Sequence, residues 1–347
     1  FFKGHANRVN TVSFSLDGNQ IVTASDDNTA KVWDTKSGNE ILSLNGHKGG
    51  VLSAQFSPDG NRLVTSSWDN TARVWDAKSG AELLPFKGHK NCVLSAQFSA
   101  DGNRIVTASS DNTARVWSAQ TGKELFSINR HIVGLCSAHF SPDGNRFITA
   151  IRQTTISANN NNAWLWDAKT GKEILSLNSN SLGVNFAHFS PDGNRIVTAH
   201  VDRIAVVWDA KTGKEILSLN GHMLEVKFAQ FSHDAKLIVT ASSDKTARVW
   251  DAKTGKELLC LNGHTSVVNS AQFSPDGNRI VTASYDNTAR IWDAKTGVEQ
   301  ILLKGHASQI NTAQFSPDGR RIVTASGGDF NTKNTDNCLL YTSDAAD

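Results

Sequence analysis

The chain has 347 residues, of which 20% are charged and 39% hydrophobic, and its formal net charge is +2 at pH 7. Lys and Asp alternate locally and the basic excess is small, so we expect no nucleic-acid-binding surface. No apolar run approaches the roughly 18 residues of a membrane span, and the first residues do not resemble a signal segment, so we expect no membrane partner.

Gly-His pairs mark an internal repeat. Successive His positions are 42 residues apart (5 to 47, 47 to 89), with one longer interval of 49 (131 to 180). In the first seven units a Trp follows the His position after 28 residues (5 to 33), except in the fourth unit, where Trp166 comes 7 residues later than that. A fixed period of this length indicates one supersecondary unit that is copied along the chain. The pairs are Gly4-His5, Gly46-His47, Gly88-His89, Arg130-His131, Ser179-Asn180, Gly221-His222, Gly263-His264 and Gly305-His306.

Each unit contains four short β-type segments, exemplified in chain order by VNSAQFS, IVTAS, TARVWD and ILSLNGH. The turn signals SPDGNR, an x-Asp-x turn and AKTGKE separate them. No unit has helical periodicity, so the pattern predicts a four-stranded sheet for every 42 residues.

The pattern GH…SPDG…TASxDxTARVWD recurs in register from Phe1 to Ser326 and resembles the WD-repeat (WD40) β-propeller family. The resemblance implies an all-β fold of four-stranded blades in which each sequence unit is offset by one strand. On that offset FFK is the stub of a last strand, Val9 to Leu303 hold seven complete blades, and Ile310 to Ser326 begin an eighth. We therefore expect a ring of seven or eight blades.

The end of the chain departs from the repeat. We predict WD40 repeats over 1–326, a degenerate end of the last repeat over 327–337, and a non-native tail over 338–347. The tail CLLYTSDAAD lacks the repeat pattern, and its reverse translation resembles a transposon-based sequencing adapter read in frame. We therefore expect the natural protein to be longer at both ends.

His, Ser, Asp and Trp recur at fixed spacing in five units. A Ser-His-Asp set is typical of a hydrolase, but five catalytic triads in one chain are not expected. The resemblance implies instead a structural hydrogen-bonded chain in each blade, in which Asp accepts from the His ring and the Ser hydroxyl continues toward the Trp indole. These tetrads are His5, Ser25, Asp27 and Trp33; His47, Ser67, Asp69 and Trp75; His89, Ser109, Asp111 and Trp117; His222, Ser242, Asp244 and Trp250; and His264, Ser284, Asp286 and Trp292.

His139 and His188 replace a Gln that most units carry at the same position. They fall in neighbouring blades and could share a metal, but no third ligand stands at metal spacing. We interpret them as packed or solvent-bonded histidines and predict no cofactor. Cys92, Cys136 and the other two cysteines have neither CxxC spacing nor a disulfide framework, which favours a reducing, cytoplasmic setting.

Because the copies are so alike, their differences carry the functional information. The resemblance places the residues three and five after each Gly-His at the rim of one face, the top face, together with the residue before the turn Asp. The two rim positions after the Gly-His are apolar in blades two to four, and Trp68 stands before the turn Asp in the same sector. We predict partner contacts by the apolar residues Leu52, Trp68, Leu94, Trp164 and Tyr285, with Arg8, Glu225 and Lys227 as the polar counterpart.

The stretch from Ala150 to Trp164 is the most divergent one. Ile151 replaces the tetrad Ser, no Asp follows, and an Asn-rich insertion lengthens the turn. The next unit has Asn180 for His and His200 for Ser. We hypothesise that blades two to five form the ligand face and that this loop contacts the partner; the alternative is neutral drift of two degraded copies.

These observations favour a non-enzymatic scaffold or sensor module that binds a protein or peptide on its top face. The near-identical repeats resemble arrays from bacterial multidomain proteins, which implies a fused effector such as a kinase, nucleotide-dependent switch or protease. The alternative is a propeller enzyme or metal-binding protein that uses channel-facing residues. Nearly every Asp belongs to a repeated turn, so we predict no enzymatic activity.

Overall fold

The computed structural model is all-β. It describes residues 2, 4–130, 134–152, 161–178, 181–327 and 338–342, and these residues form 31 strands. The strands make seven antiparallel sheets of four strands and one of three, each in simple chain order. We number these sheets blades 1 to 8 and call the strands of a blade a, b, c and d. The described residues contain no helix of the length and apolar character that crossing a membrane requires.

The strand bounds repeat with the sequence period. Blades 1 to 3 comprise β1 (Val9–Phe14), β2 (Gln20–Ser25), β3 (Thr29–Asp34), β4 (Glu40–Asn45), β5 (Val51–Phe56), β6 (Arg62–Ser67), β7 (Thr71–Asp76), β8 (Glu82–Lys87), β9 (Val93–Phe98), β10 (Arg104–Ser109), β11 (Ala114–Ser118) and β12 (Glu124–Ile128). Blades 4 and 5 comprise β13 (Leu135–Phe140), β14 (Arg146–Ile151), β15 (Asn161–Asp167), β16 (Glu173–Asn178), β17 (Val184–Phe189), β18 (Arg195–His200), β19 (Ile204–Asp209) and β20 (Glu215–Asn220). Blades 6 to 8 comprise β21 (Val226–Phe231), β22 (Leu237–Ser242), β23 (Thr246–Asp251), β24 (Glu257–Asn262), β25 (Val268–Phe273), β26 (Arg279–Ser284), β27 (Ala289–Asp293), β28 (Glu299–Leu303), β29 (Ile310–Phe315), β30 (Arg321–Ser326) and β31 (Leu339–Thr342).

Contacts divide the chain into two compact units. Unit 1 comprises Phe1–Arg130 with Gly305–Asp347 and holds blades 1, 2, 3 and 8, whereas unit 2 comprises His131–Lys304 and holds blades 4 to 7. Within unit 1, blade 8 packs on blade 1, and the side chain of Asn311 donates to the Val9 carbonyl over 3.0 Å. The prediction of seven complete blades and the start of an eighth is confirmed.

The core lies between neighbouring blades. Strand b is buried over five consecutive residues in each blade, which is typical of a strand that is covered on both faces. In unit 1, Val22 and Val32 of blade 1 pack with Leu63 and Trp75 of blade 2. The WD-motif Trp residues of blades 1 to 3 therefore lie in cores shared with a neighbouring blade of unit 1, where each buries a large apolar area.

The turn SPDGNR serves geometry and also joins blades. In blade 2, Gly60 has a φ of 71°, a left-handed conformation that favours glycine. Arg62 of the same turn donates to the carbonyl of Ala119 over 2.8 Å and to that of Gly102 over 2.7 Å, both in blade 3. Arg146 and Arg195 make the matching bonds in unit 2. We therefore attribute the recurrence of this Arg to an inter-blade tie.

Residues 338–342 of the segment predicted as a non-native tail take part in the fold, and 343–347 lie outside the described residues. Strand β31 pairs with β30 and places Tyr341 opposite Ile322, the register that Trp33 has opposite Ile21 in blade 1. The main-chain N–H of Phe2 donates to the Cys338 carbonyl over 3.0 Å, so the predicted strand stub adjoins this sheet. The origin of the tail stays a prediction. Most of the predicted degenerate end, 328–337, lies outside the described residues.

Candidate functional site

A buried hydrogen-bonded chain crosses blade 2 from its d–a loop to strand c. His47 Nδ1 lies 2.9 Å from Asp69 Oδ2, and its Nε2 lies 2.7 Å from Thr65 Oγ1. Trp75 Nε1 donates to the same Thr65 oxygen over 2.9 Å. An indole N–H only donates and a carboxylate only accepts, so the chain runs from Trp75 through Thr65 and His47 to Asp69. Blades 1, 3, 6 and 7 repeat this geometry.

The hydroxyl in this chain is Thr, so the prediction that Ser continues it toward the indole was wrong. Ser67 instead donates to the Gly49 carbonyl over 2.8 Å and accepts from the Asp69 amide over 3.0 Å. Ser67 ends strand b, whereas Thr65 lies two residues earlier on the same face of the strand, within reach of the indole. The corresponding Ser positions are Ser25, Ser109, Ser242 and Ser284, and the linking residues are Thr23, Thr107, Thr240 and Thr282.

The carboxylate pKa values and the burial of these tetrads favour a structural role. Burial tends to raise the pKa of Asp27, but hydrogen bonds from His5, Thr29 and the Ala6 amide hold it well below the usual range. The pKa of Asp286 is lowered in the same way, to about 2. The linking Thr residues are fully buried. A substrate cannot reach a hydroxyl in that position, so the tetrads do not form hydrolase triads.

Blade 5 has the same kind of hydrogen-bonded chain, but its imidazole comes from a different position in the sequence. Trp208 Nε1 donates to Thr198 Oγ1 over 2.8 Å, as in the other blades. The partner on the other side of Thr198 is His200 Nε2 at 2.7 Å, and His200 Nδ1 lies 3.1 Å from the Leu182 carbonyl. His200 stands where six other blades have Ser, while the loop position of the usual His is Asn180, which lies outside the described residues.

Blades 4 and 8 keep parts of the pattern. In blade 4, Trp166 Nε1 donates to Thr149 Oγ1 over 2.8 Å, whereas His131 and the inserted residues 153–160 lie outside the described residues. The predicted contact loop between Ala150 and Trp164 therefore stays a prediction. In blade 8, His306 Nε2 lies 2.7 Å from Thr324 Oγ1.

The predicted apolar contact residues differ in exposure. Trp68 is 42% exposed, whereas Leu52, Leu94 and Tyr285 are half-buried. Trp164 is only 6% exposed, so the prediction that it is an exposed contact was wrong. Its strand position carries Lys or Arg in five other blades, where the long side chain extends to a Glu of strand d, as Arg73 does to Glu82. An indole has no charged tip to carry to the surface and packs down instead.

The predicted polar contacts are engaged within the protein. In unit 1, Arg8 donates to the Asn311 side chain over 3.2 Å. In unit 2, Glu225 accepts from Lys227 over 2.6 Å and from Arg152 over 2.8 Å. Burial tends to raise the pKa of Glu225, but the two cations hold it below its ordinary value. The structure thus brings Glu225 and Lys227 together.

The profile described as "WD domain, G-beta repeat" matches seven segments of the chain, at 1–34, 38–76, 80–118, 171–209, 213–251, 255–293 and 297–333. The chain belongs to the WD40 family. Among solved structures it is similar to the crystal structure of the computationally designed Ika8 protein, with a TM-score of 0.84 and 28% sequence identity. That match covers 98% of this chain and 97% of the other. A comparison with curated proteins finds no match.

Several predicted rim residues turn out to join WD40 blades. Asn10 donates to the Val51 carbonyl over 2.9 Å, and Asn185 donates to the Val226 carbonyl over 2.8 Å. Cys136 occupies the same position in blade 4, and its thiol lies 3.3 Å from the Val184 carbonyl. Burial raises the pKa of this thiol to about 11, so it stays protonated as a donor.

The two unusual histidines lie in an aromatic cluster on neighbouring a strands of unit 2. The His139 and His188 ring centroids are 6.2 Å apart, and Phe186 packs against both. His188 Nδ1 donates to the Phe189 carbonyl over 2.8 Å. Burial lowers the pKa of both imidazoles, that of His139 to about 3. The described parts of the chain hold no group of three His, Cys, Asp or Glu side chains suited to a metal.

Sequence reasoning missed three surface residues. Arg152 holds the position before the turn that Trp68 holds in blade 2, which alignment on Ile151 would have revealed. Met223 and Leu224 are 67% and 49% exposed in the d–a loop of blade 6. Their signal was the apolar pair ML, since five of the other seven repeats have only polar or small residues at these two positions.

Proposed function

We propose that this WD40 chain is a non-enzymatic interaction module that binds a protein or peptide through the d–a loops and b–c turns of unit 1, with Trp68 as the central contact. One observation carries the proposal. The chain has nine Trp residues, and eight of them are at most 6% exposed, whereas Trp68 is 42% exposed. Exposed Trp residues dominate the binding energy of many protein interfaces.

The surroundings of Trp68 favour a contact role. Its amide donates to the Gly50 carbonyl over 3.0 Å, which fixes the backbone that presents the indole. Gly49 and Gly50 stand beside it without side chains, and a Cβ on Gly49 would lie only 3.2 Å from the Trp68 Cβ. A rigid backbone loses little conformational entropy on binding, which favours affinity. We expect the partner to supply an apolar pocket for the indole.

The competing hypothesis is a propeller enzyme or metal-binding protein that acts through channel-facing residues. The recurring His and Asp residues are committed to the buried tetrads. His139 and His188 offer two imidazoles in the described chain, where a metal centre ordinarily needs three protein ligands or more. These points support a binding function without a cofactor. A fused effector remains part of the proposal on the family resemblance alone, and a cytoplasmic setting on the cysteine pattern alone.

Selection of binding peptides from a displayed library tests the proposal. Trp68→Ser is the matched variant, because Ser110 and Ser243 hold the same position in blades 3 and 6 and the fold accommodates Ser there. We expect this variant to lose at least about tenfold in affinity for the selected peptides. Deletion of 156–162 tests the predicted contact loop separately. Peptides that bind wild type and Trp68→Ser equally well would contradict the central role of Trp68.

A further inference from the structure

Three charged residues that occur once each among the repeats converge in unit 2. Glu225 Oε1 lies 2.8 Å from Arg152 Nη2, and its Oε2 lies 2.6 Å from Lys227 Nζ. Asn185 also hydrogen-bonds this carboxylate. None of the other seven sequence repeats has Arg at the position of Arg152, Glu at that of Glu225 or Lys at that of Lys227. Residues from blades 4, 5 and 6 thus meet at one carboxylate, which near-identical copies do not produce by repetition.

This charged cluster carries an excess of positive charge. Two cations surround one carboxylate, so its net charge is +1. The Arg152 side chain is 50% exposed, and a guanidinium has five N–H donors, of which the structure assigns one to Glu225. A second carboxylate can therefore bind Arg152 without displacing Glu225, through the fork geometry that suits this pair.

An apolar wall adjoins the charged cluster on the same a strands. The Phe186 and Phe228 ring centroids are 4.4 Å apart, and His139 packs on Phe186 with centroids 5.4 Å apart. Both Phe residues are half-buried, and the six other units carry Ser or Thr at this position. Phe228 follows Lys227 directly in β21, and Phe186 follows Asn185 in β17. The charged and apolar parts are therefore one residue apart along two strands.

The backbone is irregular where the charged and apolar parts meet, and Phe186 and Phe228 each pack partly against an inter-blade core. The pairing of β21 with β22 shifts register between Val226 and Phe228. Lys227 and Phe228 are consecutively half-buried, while Val226 and Ala229 on either side are buried in the inter-blade core. A bulge of this kind interrupts the usual alternation of side chains.

We propose that this cluster in unit 2 is a binding site for an acidic peptide segment in which a Glu or Asp stands next to an aromatic residue. The carboxylate binds Arg152 and Lys227, and the ring packs on Phe228 and Phe186. Exposed Met223 and Leu224 precede Glu225 in the chain and supply further apolar contact to the peptide. The site does not include Trp68 and stands independently of the function proposed above.

Four capped hexapeptides test the site by isothermal titration calorimetry. The first is Gly-Ser-Glu-Phe-Ser-Gly, and the others carry Gln or Lys for its Glu, or Ala for its Phe. Each protein variant replaces a residue of the site with the residue that other sequence repeats have at the same position. Arg152→Ser matches Ser110 and Ser243, and Phe228→Ser matches Ser53 and Ser270. Their unfolding in urea, compared with wild type, establishes that they remain folded.

The Glu-Phe peptide should bind wild type more tightly than the other three peptides by at least about tenfold. Arg152→Ser and Phe228→Ser should each lower its affinity by a similar factor, and Trp68→Ser should leave it unchanged. The proposal is overturned by equal affinity for all four peptides, by wild-type affinity in both unit 2 variants, or by no saturable binding up to about 1 mM. An equal loss in Trp68→Ser would overturn the placement of the site in unit 2.

Discussion

The imidazole of His200 lies 2.7 Å from the hydroxyl of Thr198, and this contact replaces one that blades 1, 2, 3, 6, 7 and 8 make with a histidine from a different loop. The indole of Trp208 still finds its acceptor, although the repeat has lost both its usual His and its usual Ser. Two departures that look like decay in the sequence therefore compensate each other in the structure.

The compensation predicts strong non-additivity. His200→Ser should lower the free energy of unfolding by about 1 to 3 kcal/mol, because it leaves the Thr198 hydroxyl without its imidazole partner. Adding Asn180→His restores the residues of the complete units and should recover most of that loss. Urea unfolding of the two single variants and the double variant measures the coupling. A double variant no more stable than His200→Ser would refute the compensation.

The identity of the linking hydroxyl gives a second prediction. Thr65→Val leaves the buried donor of Trp75 and the ring nitrogen of His47 without a partner, so we expect a loss of at least about 2 kcal/mol. Ser67→Ala removes only the turn contacts to Gly49 and Asp69 and should cost about 1 kcal/mol. Hydrogen exchange of the Trp75 indole N–H distinguishes the two. It should accelerate in Thr65→Val alone, and equal acceleration in both variants would contradict the assignment.

The two histidines of unit 2 predict a specific acid sensitivity. Their folded-state pKa values lie below the ordinary value of about 6.5, that of His139 at about 3. The unfolded chain therefore takes up protons below about pH 6.5 that the folded chain does not, and the stability falls as the pH falls. The double variant His139→Gln/His188→Gln carries the residue of five other repeats and should lose less stability between about pH 6.5 and 5.

That window lies above the pKa of an ordinary Asp, at about 3.9, so the tetrad carboxylates contribute little to the difference. Urea unfolding of both proteins at several pH values gives the slopes. Tetrad histidines such as His89 and His264 also have lowered pKa values, but they are present in both proteins and cancel. Parallel stability curves for the variant and wild type would contradict the prediction.

Leu16 offers a stabilising substitution. It is 73% exposed in the a–b turn of blade 1, where five other units carry Pro. The turn bond from the Gly18 amide to the Ser15 carbonyl, at 2.9 Å, has the same length in blade 2, whose turn contains Pro58. Leu16→Pro should therefore raise the free energy of unfolding by about 0.4 to 1 kcal/mol, since it restricts the unfolded chain. A less stable variant in urea unfolding would show that blade 1 needs a free amide there.

Sequence reasoning predicted the blades well because each of their determinants is local and repeated. The turn residues, the period and the WD motif recur in register, so one correct unit gave nearly all strands. It failed on Ser67 and Thr65, because both are hydroxyl residues of one strand face, and only the three-dimensional register decides which of them meets the indole.

The candidate sites were harder to predict because they depend on residues far apart in the chain. Glu225 and Lys227 were predicted, but Arg152 lies 73 residues away from Glu225 and beside an insertion that obscured its alignment. Trp164 was assigned to the surface from the charged residues at its position in other units. A change from Arg to Trp also changes which way the side chain packs.

The bonds from Arg62 to the next blade end on main-chain carbonyls, and those of Arg146 and Arg195 end on the same kind of acceptor. Such a bond cannot distinguish one neighbour from another, so a folding chain can dock a blade against the wrong copy at little energetic cost. Repeat proteins misassemble in this way. Residues that occur once, such as Arg152 and Glu225, can form their contact only between the correct blades. They therefore favour the native order of blade assembly.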